Sequence, residues 1–64
     1  MSLAYIRNYY DVPATKGRRV RFDWPPTEGK EGVIVGSRDA HLRVRFDGEK
    51  SATTLHPTWN VVYL

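Results

Sequence analysis

The pentapeptide Arg19-Val20-Arg21-Phe22-Asp23 recurs letter for letter as Arg43-Val44-Arg45-Phe46-Asp47. Each guanidinium presents a planar fork of N–H donors that matches the oxygens of a phosphate or carboxylate. In an extended strand alternate side chains share a face. Each copy therefore buries Val and Phe and turns two Arg and one Asp to water, which makes Arg19, Arg21, Arg43 and Arg45 a candidate phosphate-binding row. The same residues have a plainer use, since charged groups on exposed strands discourage edge pairing. Asp23 and Asp47 favour that use, because each lies two residues beyond an Arg on the same face and dilutes its field.

Aromatic side chains are the second candidates. Trp24, beside Pro25 and Pro26, and Trp59, in a late turn, have the chemistry of a peptide groove or a stacking platform. A short chain has few other residues to bury, however, so Phe22, Phe46 and Trp59 are expected in the core, with Trp24 divided between core and groove. The histidines His41 and His56 are too few for a zinc site without thiolates, and they lack His-x-x-x-His spacing. Ser37, Asp39 and His41 crowd one short connection with no supporting shell for a hydrolase. Gly29-Lys30 lacks the earlier glycine and following hydroxyl of a P-loop. No enzyme, metal or cofactor is expected.

The elements that position these residues follow from patterning. Tyr5, Ile6, Tyr9 and Tyr10 fall on one face of a short helix over 3–10, with Ser2 as N-cap and Val12-Pro13 as its end. So short a helix must dock, as a lid over one open end of the domain in preference to a separate partner-binding helix. Strands are expected at 18–24, 31–37, 41–47, about 50–55 and 60–64. They are separated by the Pro25-Pro26 loop, the tight Arg38-Asp39-Ala40 connection, the Asp47-Gly48 hairpin and a turn at His56-Pro57-Thr58-Trp59. Val33 and Val35 are expected inward, leaving Ile34 outside between the two arginine pairs. This gives a helical leader over 1–13 and a β domain over 14–64, an all-β barrel of five strands.

Composition agrees with one small globular domain. With 64 residues, of which 41% are apolar and 12% aromatic, there is room for a single core, and the apolar residues are too interrupted for a membrane span. The chain contains no Cys, so disulfide, thiol and thiolate-zinc chemistry are excluded. A net charge of +3 and a pI near 9.6 raise the odds of a nucleic-acid partner only modestly. Met1-Ser2-Leu3-Ala4-Tyr5 lacks the features of a secretory signal, so a cytoplasmic location is expected.

Two segments carry a family resemblance. Lys16-Gly17-Arg18-Arg19-Val20-Arg21-Phe22, followed by Glu28-Gly29-Lys30-Glu31-Gly32-Val33-Ile34-Val35-Gly36, resembles a KOW motif. The ending Leu55-His56-Pro57-Thr58-Trp59-Asn60-Val61-Val62-Tyr63-Leu64 is similar to the close of SH3-like barrels. The Trp24-Pro25-Pro26 loop and the tyrosine helix depart from a minimal KOW unit, and the whole is similar to small basic proteins of bacteriophages and bacteria. The resemblance implies a five-stranded SH3-like (KOW-like) barrel that binds RNA, ribosomal components, transcription proteins or peptides, although a shared fold transfers no role. The expectation is therefore a binding module for nucleic acid or a nucleoprotein, using Arg19, Arg21, Arg43 and Arg45 with Lys16, Arg18 and Lys30 at the rim. The alternative is a protein-interaction adaptor using Trp24, Pro25, Pro26 and Trp59, or a sheet edge that pairs with a partner or with itself.

Overall fold

A computed structural model describes residues 2–23 and 29–64. It contains one helix, α1 (Leu3–Tyr10), and five strands: β1 (Arg19–Phe22), β2 (Lys30–Arg38), β3 (His41–Phe46), β4 (Thr53–Leu55) and β5 (Val61–Tyr63). The strands form one antiparallel sheet in the order β4-β3-β2-β1-β5. Among the described residues its two ends are not joined by strand pairing, so the expected closed barrel is an open sheet.

The helix starts where its capping chemistry places it. Ser2 is extended, and its side chain accepts a hydrogen bond from the Tyr5 amide at 3.2 Å. Asp11 ends the helix in the left-handed region, at φ 55°. Its docking face differs from the one expected. Ile6 is fully buried, and Leu3 and Tyr10 pack partly against the core, while Tyr9 remains 68% exposed. Leu3, Ile6 and Tyr10 are spaced three and four apart and make a narrower, more apolar stripe than the tyrosines. Tyr5 and Tyr9 instead stack on each other on the flank, with ring centroids 5.5 Å apart. Arg7 ties the helix to the chain that follows it by donating from Nη1 to the Ala14 carbonyl at 2.8 Å.

Ile6, Ala14, Val20, Ile34, Leu42, Val44, Phe46 and Leu55 form the core. In both pentapeptide copies Val and Phe point inward, with Phe22 half-buried and Phe46 4% exposed. The expected orientation of β2 is reversed: Ile34 is buried and Val35 exposed. Gly32 explains the reversal. It pairs with Phe46 so closely that an added Cβ would lie 2.6 Å from the Arg45 carbonyl oxygen, so the inward side of that row has no room for a side chain. Two residues along, Ile34 fills the same face opposite Val44. A β-bulge between Ile34 and Gly36 then leaves Val35 unpaired and outside, which resets the register before Gly36 meets Arg43.

Candidate functional site: the arginine face and the aromatic cavity

Register decides which arginines stand together. Arg19, Val33 and Arg45 are consecutive partners across β1, β2 and β3, so they share one row on the outer face. Val33, rather than Ile34, separates the two arginines. Arg21 occupies the next row opposite Glu31, and Arg43 lies beyond the bulge between Gly36 and Thr54.

The twin pentapeptides differ in their electrostatics. Arg19 donates from Nη1 and Nη2 to both oxygens of Asp47, at 3.0 and 2.7 Å, and Nη2 also reaches Glu31 at 3.1 Å. Arg21 grips Asp23 in the same two-pronged way, from Nε at 2.7 Å and Nη2 at 3.2 Å. Hydrogen bonds donated to their carboxylate partners hold both guanidiniums above their usual range, and Arg19 in turn lowers the Asp47 carboxyl. Lys30 lies 2.6 Å from Glu49 and 4.8 Å above the Phe46 ring. By contrast, Arg43 and Arg45 form no ion pair among the described residues. The Asp47 that ends the second copy is bonded to Arg19 of the first.

The rim residues divide in a similar way. Lys16 is exposed. Arg18 is half-buried, its Nε has no hydrogen-bond partner among the described residues, and its carbonyl accepts from the Ile34 amide at 3.0 Å. Lys30 is neutralised as described above. Glu31 and Glu49 were not singled out from sequence, because their role depends on cross-strand neighbours that only the register supplies.

A second feature is bounded by the end of β4, the turn that follows it and the end of β1. A cavity of about 260 Å³ is lined by Phe22, Thr54, Leu55, His56, Trp59 and Asn60. Trp59, expected in the core, is 67% exposed. Pro57 takes the buried place in this turn, and the Tyr63 hydroxyl locks it by donating to the Pro57 carbonyl at 2.7 Å. Burial raises the Tyr63 pKa to about 12. Trp59 then lies flat on His56, with centroids 4.1 Å apart and planes at 12°. His56 Nδ1 accepts from the Thr58 amide at 3.2 Å, and the edges of Tyr10 and His41 meet its ring. Desolvation, then the charge of His41, keeps the His56 pKa below the usual histidine value. Trp24, Pro25 and Pro26, the other expected wall of a groove, lie outside the described residues.

Among the described residues no cluster of three or more His, Asp or Glu is placed to hold a metal ion. No described helix is long and apolar enough to cross a membrane. No family model, curated protein or solved structure matches the chain.

Proposed function

We propose that the protein is a non-enzymatic binding module built as a partly open SH3-like, KOW-like half-barrel. It engages nucleic acid or a nucleoprotein through the arginine-bearing face of its sheet. Arg43 and Arg45 are its principal contacts, Lys16 and Arg18 are further candidate contacts, and Arg19, Arg21 and Lys30, already bonded to carboxylates, contribute less.

One observation carries this reading: two arginines on the outer face of β3 lack carboxylate partners among the described residues, beside two that are fully engaged. An exposed guanidinium bonded to a carboxylate has little left for a phosphate, whereas an unpaired one keeps its full fork. All ten Lys and Arg are described, and among the described residues the ion pairs engage four acids against three of those bases. The remaining positive charge is therefore richer than the net +3 suggests, and two of its members share β3.

Titration of labelled DNA and RNA at low salt tests the reading. Four arginine contacts to a duplex would give a slope of log K against log salt of about −3.6, and the two free ones about −1.8. Arg43→Gln with Arg45→Gln should remove most of the affinity and nearly all of that slope. Absence of binding up to high micromolar protein would rule the reading out.

The cavity beside Trp59 favours a second reading, a protein-interaction adaptor that uses this aromatic wall. Trp59→Ala distinguishes it by abolishing capture of a protein partner while the fold is retained. A module that binds only through arginine would keep its partners.

A further inference from the structure

We infer that the nucleic-acid ligand is single-stranded, with its phosphates on Arg45 and Arg43 and one base seated in the cavity against Trp59. This rests on the nucleic-acid reading above and adds to it which form of nucleic acid is bound and which residues distinguish it. The basic row and the cavity meet at the β4 margin, with Arg43 and Arg45 on the outer face and the lining residues Phe22 and Leu55 on the inner one. Arg43 is the direct cross-strand partner of Thr54, and Thr54 lines the cavity with His56, Trp59 and Asn60. A strand lying along Arg45 and Arg43 therefore passes over Thr54, on the edge strand β4, to bring a ring to the cavity behind it.

Space and charge along this path suit a strand of alternating phosphates and bases. Opposite Arg43 stands Gly36, and nothing lies within 4 Å of where its Cβ would be. A phosphate can therefore approach the guanidinium over bare backbone. The cavity, at about 260 Å³, is slightly smaller than the roughly 300–1,000 Å³ of typical small-molecule sites. That volume holds one planar ring, and Phe22, Leu55 and the indole of Trp59 are among the groups that line it. Trp59 is also preorganised: His56 covers one of its faces, and the Thr58 amide and the Tyr10 edge hold His56 in place. The other indole face is therefore presented to a base without first ordering a mobile ring. A positive groove with a stacking aromatic recognises unpaired bases, because a duplex keeps its base faces buried in the stack.

The test measures binding of an end-labelled oligothymidylate of about ten nucleotides and of a duplex of equal length, at low salt, by fluorescence anisotropy. The unaltered protein is compared with Trp59→Ala, Trp59→Phe and Arg43→Gln/Arg45→Gln, each checked for folding by circular dichroism. The expected result is binding at least tenfold tighter to the single strand. Trp59→Ala should weaken that binding about 5- to 150-fold, the span of one base-stacking contact, and leave duplex binding unchanged. Trp59→Phe should restore much of the loss.

Equal affinity for duplex and single strand, with no effect of Trp59→Ala but a loss on removing Arg43 and Arg45, overturns this inference and leaves the nucleic-acid reading standing. Absence of binding to either form removes both. A proline-rich peptide that shifts the Trp59 indole resonance, where the oligonucleotide does not, assigns the cavity to a protein partner and likewise overturns the inference.

Discussion

Arg19 and Arg45 lie in one row of the sheet, separated by Val33, yet a single carboxylate divides their fates. Asp47 follows Arg45 in the chain but closes a two-pronged bond with Arg19, and it receives only a minor Coulombic contribution from Arg45. Asp47→Asn should release the Arg19 fork into the binding face. The expected outcome is tighter oligonucleotide binding and a salt slope on single strands steeper by about 0.7. Stability should change little, because the pair is exposed. His56 provides a second prediction at this scale. Its folded pKa is depressed, so the folded state disfavours the proton that the unfolded chain accepts. Above the unfolded value of about 6.5 there is no penalty; as pH falls through that value toward the folded one, stability declines. Protonation at Nδ1 also removes the acceptor used by the Thr58 amide. Thermal melts should therefore fall between pH 7 and pH 5, and His56→Gln should remove most of that dependence.

At the scale of elements, β2 sets the geometry of the site. Gly32 allows β3 to approach at a distance no other residue permits, and the bulge at Val35 then turns the strand so that Gly36 faces Arg43. Gly32→Ala must push the two strands apart and should cost about 1–3 kcal/mol, measurable by urea denaturation. Gly36→Ala, with open space around it, should be nearly neutral for the fold. The alternation of the twin pentapeptides, the Ser2 cap, the connection at Asp39 and the turn at Gly48 were legible in the sequence because each rests on contacts within a few residues, although β4, expected from about Lys50, begins only at Thr53. The facing of Val33, Ile34 and Val35 was not. Three consecutive β-branched residues have no polar member to mark the outer side, and the steric demand at Gly32 arises from Arg45 and Phe46 in another strand. Trp59 was misplaced for a related reason. Core volume near the turn is met by Pro57 and Leu55, and hydrophobicity alone does not rank a proline above a tryptophan. The arginine row was legible as residues, but its division into engaged and unpaired members depended on cross-strand register.

At the scale of the whole molecule, one core serves everything, and α1 contributes Ile6 to it with no exposure at all. Ile6→Ala should cost about 2–5 kcal/mol, a large part of what so small a domain has, and should lower the cooperativity of the denaturant transition if the helix detaches. The order β4-β3-β2-β1-β5 also places a three-residue strand at each margin of the sheet. A second copy adding at either margin would find a template only three residues long, too few ladder bonds to offset the entropy lost on association. Concentrated solutions should therefore stay clear and free of amyloid dye response. The basic strands sit inside the sheet, sheltered from fibril growth by the brevity of what borders them.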